Sequence, residues 1–349
     1  MEVNQKYNAG SVDLAIEKGI QYLLSIIENG RWKGFPTLAG ESDIWVTGFV
    51  LTHIQHLCKQ SDAIGEAQHY LLQSRHAAGG WAYSSSVPPD ADSTACCLQA
   101  LRSCKDFTEF DAKKAKTFLW SHFTGKGIST YKTDSGISEF IAAPSNEFII
   151  GWTSAHPDVS IAAVLADAQN ENVMGIINWL KELQTDQGFI NSYWWRGPYY
   201  TTTLFLRALS KIKDQIPKEH AALIVKTLVQ EQLADGGFGL DSSAVMNPFT
   251  TALALESFTH LSFMGQRKES TLCGNALLHA QLDNGSWAGD YILRIPAPFI
   301  TDPGQVTSWN NADGGGNSLI EDKGGLFTTA MCCYALDCWR NTETKNNTI

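Results

Sequence analysis

Several features that would place a protein in a familiar class are missing from this sequence of 349 residues. No run of about 18 or more apolar residues is present, so the sequence predicts no membrane-spanning helix. Acidic residues outnumber basic ones by 36 to 26, and the net charge of −10 disfavours nucleic acid as a partner. None of the eight cysteines belongs to a CxxC pair, and the polar residues 1–10 resemble no signal peptide. We therefore expect a cytoplasmic protein with reduced cysteines, for which hydrophobic contact with a membrane surface stays open.

What the sequence contains instead is a repeat of about fifty residues. In each copy an apolar segment with helical periodicity ends in a glycine, which an aromatic residue follows closely. Five clear copies carry this aromatic residue, at Trp32, Trp81, Phe189, Phe238 and Trp287. A weaker copy at Gly127 and Ile128 fills the gap between the second and the third, which makes six copies. We assign the repeated aromatic residues to packing between helices.

Each copy continues into a second, more apolar segment that predicts another helix. The residues that open these second helices are Asp43, Asp92, Asp158, Tyr200, Phe249 and Phe327. The first helix of each pair is amphipathic, as expected of an outer helix, whereas the second is apolar nearly all round, as expected of an inner one. Six pairs predict an all-α fold, a single (α/α)6 barrel. We expect one domain over residues 1–349, with flexible ends at 1–10 and 341–349.

Two connections from outer to inner helix are unusually long. One runs from Ile128 to Asp158 and the other from Trp287 to Phe327, whereas eleven residues suffice in the other four copies. Long loops in compact folds are usually functional. Because all six connections lie at one end of the barrel, we expect these two to form a lid over its mouth.

One inner helix begins with two acids close together. Residues 90–95 read Asp-Ala-Asp-Ser-Thr-Ala, and an acid or a serine at such a place is typical of a helix N-cap. In a dry site, however, two crowded carboxyl groups raise the pKa of one of them and create a neutral acid. The first repeat holds a similar pair, Glu41 and Asp43. Because Thr-Ala follows two residues after Asp92 and not after Asp43, we favour Asp92.

Two motifs resemble those of a known enzyme family. The segments 232–238 and 281–287, in which a glutamine precedes a glycine by four residues, resemble the glutamine–tryptophan repeats of squalene–hopene and oxidosqualene cyclases. Residues 90–95 resemble their acid motif, Asp-x-Asp-Asp-Thr-Ala in the bacterial branch and Asp-Cys-Thr-Ala in the sterol branch. Ser93 departs from the bacterial motif, which has a third acid there. Since those cyclases contain two barrels, this chain looks more like the monodomain class II terpene cyclases of meroterpenoid pathways.

The resemblance implies an enzyme that protonates the terminal alkene of a polyprenylated aromatic, with a hydroxybenzoic acid as head group, and cyclises it through carbocations. It implies no cofactor and no metal. By the motif, Asp92 is the proton donor, and Asp90 helps to hold and replace the proton. Ser93 either hydrogen-bonds Asp92 or caps the helix. His156 is a candidate partner of the acid, because squalene cyclases position a histidine against theirs; an ordinary loop residue is the alternative.

A carbocation needs aromatic faces that stabilise it without reacting with it. Candidates for these contacts lie at inner-helix starts, in adjoining loops and in the second long connection: Trp45, Trp152, Trp195, Tyr200, Phe249, Trp309 and Phe327. Arg196 and Arg294 lie in connections at the same rim and are candidates for holding a carboxylate head group.

Other functions of the same barrel are less consistent with the sequence. Class I terpene synthases need an Asp-Asp-x-x-Asp motif, which is absent. Protein prenyltransferase β-subunits bind zinc through Asp, Cys and His late in the chain, but no histidine follows His279. Two alternatives stay open: a lipid-binding or interaction module, and a cyclase that acts on squalene or a prenyl diphosphate.

Overall fold

The computed structural model describes residues 8–58, 61–214, 216–241, 243–311 and 314–346. In this part of the chain, helices dominate and four short strands form two antiparallel pairs. The elements in chain order are α1 (Ala9–Ser25), β1 (Pro36–Thr37), β2 (Gly40–Glu41), α2 (Ile44–Ile54), α3 (Asp62–Gln73), α4 (Ala91–Ala100), α5 (Glu109–Trp120), α6 (Ile137–Phe140), α7 (Ile150–Thr153), α8 (Pro157–Ala166), α9 (Val173–Glu182), α10 (Tyr199–Ile212), α11 (Lys218–Glu231), α12 (Pro248–His260), α13 (Arg267–Ala280), β3 (Tyr291–Ile295), β4 (Ser318–Glu321) and α14 (Leu326–Asn346).

Six of these helices form a closed inner ring. α2 contacts α4, and the contacts continue in order through α8, α10, α12 and α14, until α14 contacts α2 again. The outer helices alternate with the inner ones along the chain, and α1, α3, α5, α9 and α13 pack on the ring. The predicted all-α (α/α)6 barrel is therefore confirmed, with α6 and α7 as additional short helices in the first long connection.

Burial explains why the two kinds of helix differ in sequence. The inner helix α2 buries every residue except Thr52, because its neighbours in the ring and the outer helices cover it on all sides. The outer helix α3 buries only Ile64, Ala67 and Leu71, which are spaced by three and four residues and share one face. The remaining face of α3 carries its polar residues.

A hydroxyl group joins the two helices of every repeat. A backbone N–H that follows the outer helix donates to a threonine or serine hydroxyl of the inner helix, over 2.7–3.1 Å. The six pairs are Trp32 with Thr47, Trp81 with Thr94, Ile128 with Ser160, Ile190 with Thr202, Phe238 with Thr251, and Trp287 with Thr329. Thr94 is therefore a structural residue of the repeat, and its presence does not distinguish the acid motif from the first repeat.

These hydroxyls also set the register of the repeats and correct our alignment of the first one. Two residues before each hydroxyl lie Trp45, Asp92, Asp158, Tyr200, Phe249 and Phe327. Asp43, which we aligned with Asp92, is instead the counterpart of Asp90. The bond from Trp32 to Thr47 spans fifteen residues where the bond from Trp81 to Thr94 spans thirteen. The connection that contains β1 and β2 is thus two residues longer than the corresponding connection of the second repeat, a difference that the spacing of the motifs did not show.

The two long connections pack on each other above the inner ring. In the first, the backbone N–H of Gly151 donates to Pro298 O of the second over 2.8 Å, and the Trp152 indole donates to Pro296 O over 3.0 Å. The Tyr193 hydroxyl donates to Ile300 O over 2.7 Å. β3 and β4 form the hairpin that carries this second connection. The described parts of both connections therefore cover one end of the barrel together, as the sequence predicted.

The described ends of the chain are helical further outward than we predicted. Asn8 caps α1 by accepting hydrogen bonds from the amides of Gly10 and Ser11, and α14 continues through residue 346. Residues 1–7 and 347–349 lie outside the described residues. All eight cysteines are free thiols. None of the helices in the described ranges is long and apolar enough to cross a membrane.

Candidate active site

A cavity of about 480 Å³ lies beneath the long connections, where α2 and α4 begin. Most of its wall is apolar or aromatic, and three polar side chains of the 90–95 segment reach it: Asp90, Asp92 and Ser93. Both long connections and the β3–β4 hairpin contribute to the wall. The cavity therefore combines a carboxyl pair with a lining suited to a hydrocarbon.

Asp90 is the N-cap of α4 and is held as a hydrogen-bond acceptor. Its Oδ1 accepts from the backbone N–H of Ser93 and its Oδ2 from the Ser93 hydroxyl, each over 2.7 Å. Only 2% of Asp90 is exposed. Burial raises its pKa to about 7, although these hydrogen bonds and those from the amides of Asp92 and Tyr83 oppose the rise. This hydrogen-bonding arrangement favours the ionised form of Asp90 over that of its neighbour.

Asp92, in the first turn of α4, is half-buried and faces the cavity. Burial, then the charge of Asp90 and then that of Asp158, raise the pKa of Asp92 well above its usual range. A contact from the Trp45 side chain is the one influence in the opposite direction. Since Asp90 is the carboxylate that receives more hydrogen bonds, the shared proton resides on Asp92. Above about pH 7 the pair is therefore a neutral acid next to an anion.

Ser93 does not hydrogen-bond Asp92, which was one of the two possibilities that the sequence left open. Its hydroxyl donates to Asp90 instead, while its own N–H completes the helix cap. The reason is geometric: Asp90 lies at the N-cap, three residues before Ser93, which is where a capping side chain meets the first free amides. Ser93 therefore supports the anionic member of the pair.

His156 does not contact either acid. Its Nε2 donates to Gly151 O over 2.7 Å, and its Nδ1 accepts from the Thr130 hydroxyl over 2.8 Å. Thr130 thereby donates its only hydroxyl proton to His156, and its oxygen accepts from the Trp194 indole over 2.8 Å. Burial lowers the pKa of His156 to about 3, which makes it neutral. The predicted acid–histidine contact is thus replaced by a network that orders the rim.

None of the three other acids identified from the sequence lines this cavity. Asp43 pairs with Arg31 at 3.3 Å and accepts from the Tyr70 hydroxyl at 2.9 Å, while Glu41 is exposed in β2. Asp158 is buried, and its Oδ2 accepts from the amides of the next connection, those of Tyr193 at 3.0 Å and Trp194 at 2.7 Å. The rival acid pair of the first repeat is therefore ruled out by geometry.

The candidate aromatic residues fall into three groups. Trp45 and Trp152 line the cavity. Four others form a buried layer behind the cavity lining: Trp195, Tyr200, Phe249 and Phe327. Trp309 does not line the cavity, and its ring lies against the guanidinium of Arg294, with 5.6 Å between the Arg294 carbon and the ring centroid.

The two candidate arginines have different surroundings. Arg294, in β3, lines the cavity, and its Nε donates to Tyr193 O over 3.0 Å. Arg196 does not line the cavity; it pairs with Asp241 and donates to Tyr291 O over 3.2 Å. Of the two, only Arg294 is placed where it could meet a ligand in this cavity.

The sequence did not point to several residues of the cavity wall. Aromatic members of this group are Phe35, Tyr83, Tyr131, Phe140 and Phe148, and aliphatic ones include Ile137, Ile141, Leu293, Ile295 and Ile320. Most lie in the long connections, where helical periodicity provides no signal. Tyr291, Ile292 and Ile295 were a usable signal, since aromatic and β-branched residues are typical of strands.

Comparison with known proteins assigns the family. The chain belongs to the family of the prenyltransferase alpha-alpha toroid domain, whose model matches residues 13–135, 155–281 and 192–347. No curated protein matches the sequence closely enough to count.

Solved structures narrow the assignment. The chain is similar to the type II terpene cyclase MstE from Scytonema in complex with geranylgeranyl dihydroxybenzoate (substrate), at 26% identity and a TM-score of 0.85, with 96% of this chain and 99% of that one covered. An MstE complex with merosterolic acid A (product) has 26% identity, a TM-score of 0.83 and coverages of 96% and 98%. A protein from Actinoplanes has 28% identity, a TM-score of 0.82 and coverages of 94% and 99%. The expected resemblance to single-barrel class II terpene cyclases is confirmed, and the protein is an enzyme of this kind.

Proposed function

We propose that the protein cyclises the polyprenyl chain of a prenylated hydroxybenzoic acid, starting from a proton on Asp92. The observation that carries the proposal is the asymmetric carboxyl pair. Asp90 is held by two hydrogen bonds from Ser93, whereas Asp92 faces an apolar cavity with a strongly raised pKa. A neutral acid in a dry cavity is what protonation of an alkene, a very weak base, requires. MstE, with its geranylgeranyl dihydroxybenzoate substrate, supports this class of substrate.

The reaction is an isomerisation, in which atoms and charge balance within the substrate. The Asp92 proton forms a C–H bond at one end of the terminal alkene, and the other carbon becomes a cation. Further alkenes attack in turn, each forming a carbon–carbon bond, until the last cation loses a proton. The aromatic faces of Trp45 and Trp152 stabilise positive charge along this path. Asp92 regains a proton afterwards, assisted by Asp90.

The head group belongs at the end of the cavity that Arg294 lines. Its guanidinium is already fixed by the carbonyl of Tyr193, so a carboxylate meets a pre-oriented donor. With the tail alkene at Asp92 and the carboxylate at Arg294, the prenyl chain lies between them against apolar wall. The reaction requires only a proton donor, so we propose no cofactor and no metal.

A hydrophobic small molecule must reach this cavity, and its rim is apolar. Leu38 and Phe140 line the cavity and are 78% and 42% exposed, while Ile150 and Phe299 of the two connections are each 49% exposed. These side chains support weak contact with a membrane surface during substrate uptake. A lipid-binding module is the weaker alternative, because burying two crowded carboxyl groups destabilises a protein and serves no purpose in binding.

The function is tested by incubating the protein with geranylgeranyl and farnesyl dihydroxybenzoate, squalene and geranylgeranyl diphosphate, and analysing products by mass and ring count. We expect cyclised product from a prenylated dihydroxybenzoate. Asp92→Asn should lower turnover by at least about 1,000-fold, because the amide has no transferable proton. Glu41→Gln, at an exposed carboxyl group of the same rim, is the matched control and should retain full activity. Full turnover by Asp92→Asn would overturn the assignment, and turnover of squalene alone would overturn the substrate class.

A further inference from the structure

Behind the cavity wall lies a tryptophan that does not belong to the inner ring. Trp195 lies in the connection between α9 and α10, and its backbone pairs with Leu293 of β3. Trp194 faces the cavity, whereas the rings around Trp195 belong to inner helices, so the side chain of Trp195 points toward the ring. Leu293 and Trp194 both line the cavity, whereas Trp195 is only 2% exposed and does not. Trp195 thus lies directly behind the cavity wall.

The surroundings of Trp195 place it near the axis of the barrel. Its ring stacks on Tyr200 of α10, with centroids 3.8 Å apart, and lies nearly parallel to Phe249 of α12 at 5.3 Å. Trp45 of α2 lies at 5.8 Å and Phe327 of α14 at 6.3 Å. A single side chain that reaches four of the six inner helices fills the space between them.

The inner-helix register shows what Trp195 covers. Tyr200, Phe249 and Phe327 occupy the same position of their helices as Asp92 does in α4, two residues before the shared hydroxyl. Asp92 reaches the cavity, but these three rings do not. All three instead contact Trp195. Trp195 thus fills the space between Trp45 of the cavity wall and these three rings, so a smaller side chain at this position leaves space next to the cavity.

We propose that Trp195 limits the length of prenyl chain that the cavity accepts, by closing it off from the barrel axis. For the identity of its ligand the inference rests on the proposed function. An indole is larger than one isoprenyl unit, so its removal makes room for at least one further unit folded beside Asp92. Trp195 is thereby a specificity-determining residue, while Trp45 and Trp152 form the wall that every substrate meets.

The inference is tested by binding, so that it does not depend on turnover. Dihydroxybenzoates with saturated C10, C15, C20 and C25 branched chains are titrated into wild-type protein and into Trp195→Ala and Trp195→Phe, by calorimetry. We expect Trp195→Ala to raise the affinity for the longest chain relative to the shortest by at least about tenfold, since pocket contacts of even one methylene change selection by that factor. Trp195→Phe, which keeps a ring in place and folds with less disturbance, should give a smaller change in the same direction.

Phe258→Ala is the matched control. Phe258 is 2% exposed in α12 and contacts Phe238, so its removal leaves a buried space that is separate from the cavity. We expect Phe258→Ala to keep the chain-length preference of the wild type. If neither Trp195 variant changes that preference although both remain folded by circular dichroism, the inference is wrong. Turnover of the unsaturated series by the wild type is measured separately, and its absence would count against the proposed function alone.

Discussion

Asp90→Asn should make the protein more stable at neutral pH while weakening its catalysis. Asp90 is 2% exposed, and its pKa is about 7 in the folded protein against 3.8 for an ordinary aspartate. Between these two values the folded state binds more protons than the unfolded state, so stability falls as the pH rises and stays low above about pH 7. The gap between the two pKa values corresponds to a cost of about 4 kcal/mol at pH 8.

The amide group that Asp90→Asn introduces never ionises, so the variant does not lose this folding free energy at high pH. Its oxygen still accepts the cap hydrogen bond from the Ser93 N–H, so the helix start is preserved. Removing the Asp90 charge also lowers the pKa of Asp92, whose rise is partly due to that charge. We therefore expect Asp90→Asn to be more stable than wild type by about 3–4 kcal/mol at pH 8, and by about 1 kcal/mol at pH 4.5.

Urea unfolding followed by circular dichroism at both pH values measures this difference. The decisive quantity is how the free-energy difference between variant and wild type changes with pH, since constant effects of the substitution cancel. Glu41→Gln, at an exposed carboxyl group, should change stability by less than about 0.5 kcal/mol at either pH. A difference for Asp90→Asn that does not grow between pH 4.5 and pH 8 would refute the reasoning.

Two further predictions concern the lid and the head group. Gly151→Ala should lower kcat/KM by about 100-fold without changing the far-ultraviolet circular dichroism, because the added Cβ would lie 2.1 Å from Ile300 O and force the two connections apart. Gly175→Ala, whose Cβ meets nothing within 4 Å, should behave like wild type. Equal activity of both variants would contradict the packing of the two long connections on each other. Arg294→Gln should raise KM for a prenylated dihydroxybenzoate by at least about tenfold through loss of a charged hydrogen bond. Arg196→Gln should leave KM unchanged. If steady-state kinetics rank the two variants in reverse, the head group lies elsewhere.

The acid motif shows how far a sequence pattern reaches. Two carboxyl groups at an inner-helix start were visible because capping residues and apolar periodicity are local signals. Which of the two carboxyl groups caps the helix was not visible from the pattern. In addition, the spacing counted from the repeated aromatic residue ignores the longer β1–β2 connection of the first repeat. Asp43 was therefore aligned with Asp92, although the hydroxyl of Thr47 shows that it corresponds to Asp90.

His156 and Trp195 show a second limit. Both were candidates because of where they lie in the repeat, and both take their environment from residues far away in sequence. His156 is satisfied by Thr130 and Gly151, so it has no bond left for an acid. Trp195 is turned toward the ring by its pairing with Leu293, which lies two repeats later in the chain. Neither contact is coded by local periodicity.

The sequence by itself determined the six helix pairs, the single barrel and the identity of the acid segment. It could do so because amphipathic and apolar helices follow from residue order within a few turns. The tertiary structure alone decided which carboxyl group keeps the proton, which aromatic rings meet the substrate and which lie behind them. Those properties depend on burial and on contacts between the two long connections and the ring, and burial exists only once the ring has closed.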